Sequence, residues 1–278
     1  MAFMVLEDSA SGGDALWYVR GMGAEARVRF RHEGRVARVT LDHPPLHVLD
    51  TLTVDALSSA IGQVERAEGV VVMILDATGE KAFSAGVDIA EHLPQRVPRM
   101  LERFHAVIRQ VRALECVTVA AIRGVALGGG FELALSCDMM VAEEGASFGA
   151  PEIWLACFPP VTAAVLPRHL APQKAYEIVL SGEQITAAEA EAMGLVNLVA
   201  PKGGLEGALA RYVSLFTEKS AAALRVAKRA LRAGEERGFE AALRETERLY
   251  KEDLMRTEDA AEGIRAYLEK RESKWKDR

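Results

Sequence analysis

Cysteine is scarce in this chain: three in 278 residues, Cys116, Cys137 and Cys157, far apart and odd in number. No CxxC pair and no close Cys/His spacing occurs, so neither a disulfide framework nor a zinc site is expected, and no metal site is. Each cysteine sits in an apolar context, where it behaves as a small hydrophobe; the expectation is a reducing, cytoplasmic location. An excess of positive charge is also missing. The net charge of −6 leaves no electrostatic footprint for nucleic acid or an anionic membrane. No apolar run approaches the roughly 18–20 residues of a membrane span. The opening MAFMVLEDSASGGDALWYV is acidic where a secretory signal would be basic. GxGxxG and the Gly-Lys-Ser/Thr of a Walker loop are absent, as is any solenoid repeat.

Apolar residues make up 50% of the chain and charged residues 27%, enough to bury a core. Residues 1–25 are mixed and broken by SGGD and GMG; they read as an extension of uncertain order. From residue 26 the pattern organises. RVRFRHEGRVARVTLD alternates as two strands about Glu33-Gly34, and His43-Pro44-Pro45 ends the second. Residues 51–67 have helical spacing, with Leu52, Ala56, Leu57, Ala60, Ile61 and Val64 on one face and Asp50 or Thr51 as cap. VVVMILDA, 70–77, reads as a strand covered on both faces. A helix at 97–114, a strand at 117–124, a helix opening at 131–136 and a strand at 138–144 repeat the cycle, predicting α/β crossover units. Beyond a strand candidate at 195–200 the periodicity is helical, over 204–216, 218–235, 238–252 and 258–271. The expected division is an α/β core over 26–200, holding the site, and a helical region over 201–278.

VALGGGFELALSCD, 125–138, places three glycines before a helix, although each costs roughly 1 kcal/mol relative to alanine within one. Taken alone they suggest a tight turn. KAFSAGVDIAEH, 81–92, is a second small-residue loop after a strand. Two such loops can supply one backbone N–H each to a carbonyl oxygen, as an oxyanion hole does. Glu132 follows the glycines, and its ordinary explanation is an exposed residue favoured by the helix dipole. Phe131, Leu133, Ala134 and Leu135 leave little solvated face, so burial is expected instead. Glu152, in FGAPEIWLACFPP, is likewise surrounded by apolar residues after Pro151. A lone glutamate there would be a helix-start residue. Two in one apolar cleft are parts for proton transfer beside a polarised carbonyl.

KAFSAGVDI, IRGVALGGGFELALSCD and FGAPE together resemble the crotonase (enoyl-CoA hydratase/isomerase) superfamily, a similarity covering about residues 27–278. The resemblance implies an α/β fold of repeated ββα spiral turns, a C-terminal helical trimerisation region, and coenzyme A thioesters as substrates, with no permanently bound cofactor. It assigns the thioester oxygen to the N–H groups of Val87 and Gly129, and the acid–base roles to Glu132 and Glu152. With both glutamates present, hydration or dehydration leads over isomerisation or hydrolysis. A scaffold or RNA-binding role, found among hydratase relatives, is disfavoured by the acidic balance.

The coenzyme's pantetheine is expected between Pro45, Leu46, His47 and Val48 on one side and Ala85, Gly86, Val87, Asp88 and Ile89 on the other. Tyr267 and Lys270 of the C-terminal helix would complete the nucleotide site of this or a neighbouring subunit. The chain departs from the hydratase pattern at three places. His47 stands where asparagine is common, and is read as a half-buried polar spacer. Val87 is larger than the usual alanine. CFPPVTAAVLPRHL replaces a glycine-rich turn, so that Phe158, Pro159, Pro160 and Val161 should wall the acyl pocket. PPLHVLD and CFPPV resemble cyclohexadiene-carbonyl-CoA hydratases. The expected assembly is a homotrimer or dimer of trimers.

Overall fold

A computed structural model describes residues 3–8, 15–20 and 27–278. Strands β1 (Phe3–Asp8) and β2 (Ala15–Arg20) pair antiparallel, and β2 pairs with β3 (Val28–Glu33). The segment read as an extension therefore carries two strands of the main sheet. β3 turns back at Gly34, whose φ of +53° suits a tight hairpin, into β4 (Val36–Leu41). Asp50 then caps α1 (Thr51–Arg66), accepting a hydrogen bond from the Thr53 N–H at 2.8 Å. The buried face of α1 is the one the spacing predicts, except that Leu52 is exposed and Thr53 and Val54 are buried.

The spiral follows. β5 (Val72–Ala77), β6 (Ala82–Ser84) and α2 (Val97–Ala113) form one turn. β7 (Val117–Ile122), β8 (Val125–Leu127) and α3 (Gly129–Leu135) form the next. β9 (Met139–Glu143) and β10 (Ser147–Gly149) begin a third. This is the ββα fold expected. α4 (Pro160–His169), α5 (Pro172–Ser181), β11 (Ile185–Thr186), α6 (Ala187–Ala192) and β12 (Leu198–Ala200) complete the core. Eight strands make the main sheet in the order β1-β2-β3-β4-β5-β7-β9-β12, parallel from β4 onward. β11-β10-β8-β6 form a second, smaller sheet.

Because side chains alternate along a strand, β5 feeds two cores. Met73 and Leu75 join Phe83, Ile122 and Phe131, whereas Val72 and Ile74 join Val117, Val119 and Val141. The second core is covered by Leu205, Leu209 and Val213 of α7 (Leu205–Thr217). The boundary expected near residue 200 is thus a change of element type, with α7 packed on the main sheet itself.

α8 (Ala221–Glu236) reaches the same sheet through Lys228. Its buried ammonium lies 2.6 Å from Asp138 and donates to the Cys116 carbonyl at 2.5 Å. α9 (Phe239–Arg248) runs into a π-helical turn over Leu249–Asp253, where one helix over 238–252 was expected. α10 (Glu258–Glu269) closes the chain, and its Asp259 carboxylate accepts from the N–H groups of Lys276 and Asp277. Among the described residues no helix is long and apolar enough to cross a membrane.

Candidate active site

The three glycines are explained by what stands against them. A Cβ on Gly128, where φ is +52°, would lie 2.5 Å from Glu152 Oε1. One on Gly129 would lie 2.7 Å from Val87 Cγ2 and 3.2 Å from Val87 N, and one on Gly130 would lie 2.4 Å from the Ser84 carbonyl oxygen. β6 and β8 pair side by side, so the β6 loop and the start of α3 meet with no room for side chains. α3 begins at Gly129 itself, two residues earlier than the spacing predicts. As the first helical residue, Gly129 has no carbonyl within its own helix to receive its N–H. Gly86 brings the other loop in: at φ +99° its absent Cβ would sit 3.2 Å from Gly129 N. Ser84 steadies that loop by donating to the His47 carbonyl and accepting from the Gly86 N–H.

Glu132 is almost fully buried on α3. Its Oε1 accepts from the N–H groups of Val161 at 2.7 Å and Thr162 at 3.1 Å. These are the second and third residues of α4, preceded by two prolines. Pro159 has no side chain able to cap, so a carboxylate from a neighbouring helix does it. Burial pushes the Glu132 carboxyl up to about 7; the Thr162 N–H opposes this, the Glu152 charge adds to it, and the Val161 N–H opposes it. Glu152 stands in a short 3-10 turn, Pro151–Leu155, with Oε2 buried and, among the described residues, without a hydrogen-bond partner. Burial raises its pKa also, against its own N–H and the nearby His92.

Both carboxylates line one cavity of about 540 Å³ with Gly128, Gly129 and Val87. Its remaining walls are mostly apolar: Met100, Leu101 and Phe104 of α2 on one side, and Trp154, Leu155, Phe158, Pro159 and Pro160 on the other. The site expected from sequence is therefore brought together in its central parts. Val161 is a correction, since it offers its N–H to Glu132 and does not line the cavity.

The stretches assigned to pantetheine need a second correction. Ala85 N–H donates to the Leu46 carbonyl, Leu49 N–H to the Gly86 carbonyl, and Leu49 bridges Val87. Joined in this way, they leave no gap between them, and a chain would run across them. Ala85, Gly86, Val87 and Ile89 line the cavity, whereas Pro45, Leu46, His47, Val48 and Asp88 do not. Asp88 caps a 3-10 turn through the Ala90 N–H. His47 is wholly buried, not half-buried: its Nδ1 accepts from the His43 N–H at 3.0 Å and its Nε2 lies 2.8 Å from the Thr78 carbonyl oxygen. It fixes the loop after β4. Tyr267 on α10 and Lys270, the residue after that helix, are exposed and outside the cavity, so within one chain they do not contribute to it.

Sequence reasoning missed His92 and His105, both on the cavity wall. Helical spacing around Phe104 shows which face of α2 turns inward, and His105 borders it; nothing in the spacing marks a cavity there.

A model of the enoyl-CoA hydratase/isomerase family matches residues 31–278. The chain belongs to that family. It is 32% identical over 252 residues to the cyclohexa-1,5-dienecarbonyl-CoA hydratase of Thauera aromatica, covering 91% of this chain and 97% of that protein. The short-chain-enoyl-CoA hydratase of Clostridium acetobutylicum is 32% identical, over 86% and 93% of the two chains. The crystal structure of enoyl-CoA hydratase from Bacillus anthracis superposes with a TM-score of 0.86 at 30% identity, over 91% of this chain and 100% of that one. Family membership implies acyl-CoA thioesters as substrates.

Proposed function

We propose that the chain adds water to an α,β-unsaturated acyl-CoA thioester, or removes it from the hydroxyacyl product. The observation that carries this reading is the pairing of Glu132 and Glu152, both with raised pKa, in a mostly apolar cavity beside Val87 and Gly129. Burial raises the pKa of both carboxyls, which favours a proton being held on the pair. Water addition needs that state, one member as base and one as acid. The base takes a proton from water as its oxygen bonds the β-carbon. The double-bond electrons move through the α-carbon onto the thioester oxygen, and the acid then delivers a proton to the α-carbon.

Negative charge grows on the thioester oxygen, where the N–H groups of Val87 and Gly129 are proposed to receive it. Such donors are typically worth about 2.7–4 kcal/mol each in the transition state. Coenzyme A enters as part of the substrate. Its pantetheine would run across Ala85–Ile89, and its nucleotide would meet Tyr267 and Lys270 of a neighbouring subunit.

The acyl group is proposed to be compact, branched or cyclic. Pro159 and Pro160 stiffen one wall, and the Thauera relative is named for a cyclic dienoyl thioester. A panel of straight-chain and cyclic unsaturated thioesters, scored by the mass gain of one water, tests both parts. Hydration of a cyclic dienoyl-CoA faster than decenoyl-CoA is expected. The reverse order ends the compact-substrate reading, and no water gain on any thioester ends the hydratase reading.

A further inference from the structure

The hydratase reading gives His105, a cavity side chain, no role. His105 lies on α2, one residue past the wall residue Phe104, whose ring is 6.0 Å away. It faces two spaces at once. It lines the cavity that holds Glu132 and Glu152, and it lines a shallower hollow behind Pro160 and Val161. Its Nε2 is buried, yet among the described residues it meets no hydrogen-bond partner. Buried polar atoms are paired in the great majority of cases, and an unpaired one calls for a reason. The neighbouring cavity walls, Met100, Leu101 and Phe104, offer no polar side chain to pair with it. An oxygen on a bound ligand would supply that partner where the ring, part of the cavity wall, turns Nε2 toward it.

We infer that His105 is a specificity-determining residue that hydrogen-bonds an oxygen, hydroxyl or oxo, carried on the acyl group beyond the β-carbon. This rests on the hydratase reading for the orientation of the thioester. With the carbonyl at Val87 and Gly129 and the reacting carbons at the glutamates, the wall from Phe104 to Pro160 is left for the rest of the acyl group. Burial, then the Arg109 guanidinium, lowers the pKa of His105, which favours the neutral ring. A neutral ring nitrogen donates or accepts according to tautomer. A hydroxyl satisfies either form, and an oxo group satisfies the donor. An all-carbon acyl group satisfies neither and leaves Nε2 unpaired, which is how polar sites reject analogues.

Saturated thioesters test this by binding alone, since they cannot be hydrated. Calorimetry would compare cyclohexanecarbonyl-CoA with its ring-hydroxylated counterparts, and valeryl-CoA with its terminally hydroxylated counterpart. In at least one pair the wild type should bind the hydroxylated member about tenfold more tightly, the worth of one hydrogen bond. His105→Phe keeps a ring against Phe104 and should abolish the difference. His105→Gln keeps an amide donor and acceptor and should retain it within about threefold. If His105→Phe folds poorly, His105→Leu serves the same comparison. Equal affinity across every wild-type pair, or an undiminished preference in His105→Phe, overturns the inference. Water gain on any straight-chain or cyclic unsaturated thioester of the panel, with the wild type, tests the underlying reading separately. A chain that shows the binding preference but adds no water keeps His105's role and loses the lyase assignment.

Discussion

A single methyl group is the smallest change that distinguishes the glycines around the site. At Gly129 the added atom would press on the Val87 side chain at 2.7 Å, whereas at Gly130 it would strike the Ser84 carbonyl at 2.4 Å. Gly129→Ala should thus disturb the proposed oxyanion site while the chain still folds. A loss in kcat/KM of the order of 10²-fold is expected. Gly130→Ala has backbone to displace and should instead lower the urea midpoint. Glu132 gives a pH test of its own. Its folded pKa of about 7 lies above its ordinary 4.5. The fold therefore favours the protonated form, a contribution complete below pH 4.5 and lost as the pH rises through 7. Glu132→Gln resembles the protonated form. It should gain stability relative to wild type between pH 5 and 8, by at most about 3 kcal/mol at roughly 1.4 per pKa unit. A constant difference across that range would contradict the burial argument. Glu132 was legible in sequence because its apolar neighbours left it no solvated face, and Glu152 only as a second glutamate in an apolar stretch after a strand. His47 was legible only as unusual, because its two backbone partners, His43 and Thr78, come from loops that no spacing joins.

At the scale of elements, what periodicity could reveal depended on length. β5 and β7, six residues each, announced themselves as strands buried on both faces. β6, β8 and β10 have three residues apiece, too few to alternate visibly, so periodicity does not mark them as strands. The second sheet, which brings the two small-residue loops together, was therefore not legible. α4 was hidden for another reason. Its start is two prolines and its cap comes from Glu132, a residue of another helix, so the usual local capping signal is missing. α8 shows what holds the C-terminal helices to the core. Lys228 is nearly buried against Asp138, which also accepts from the Thr118 N–H. Removing one partner of a fully buried pair costs roughly 3–5 kcal/mol, because the other charge is stranded. Asp138 keeps some solvent, so Lys228→Met should cost somewhat less. Adding Asp138→Asn to it should recover part of the loss, as urea denaturation would show. Additive losses would mean that the pair is not what anchors α8.

For the whole molecule, the large apolar residues left exposed on the last helices predict assembly. Leu231, Phe239, Tyr267 and Leu268 are each more than 70% exposed, the least at 72% and the most at 84%. Apolar surface gathered on one set of elements marks an interface, and a closed ring of identical chains is the economical way to cover it. A homotrimer or dimer of trimers is expected by sedimentation at micromolar concentration; a monomer would contradict this. The same assembly would bring Tyr267 and Lys270 of one subunit to the coenzyme of another. Tyr267→Ala should then weaken thioester binding without changing which acyl group is preferred. The central claim, however, lies with the two carboxylates. The measurement that reaches it most directly is kcat on one accepted enoyl-CoA for Glu132→Gln, Glu152→Gln and the double variant. Each single change should cut kcat by about 10²–10⁴-fold, and the double variant should be little worse than either, because half an acid–base pair does little alone. Full activity in either single variant would contradict the account.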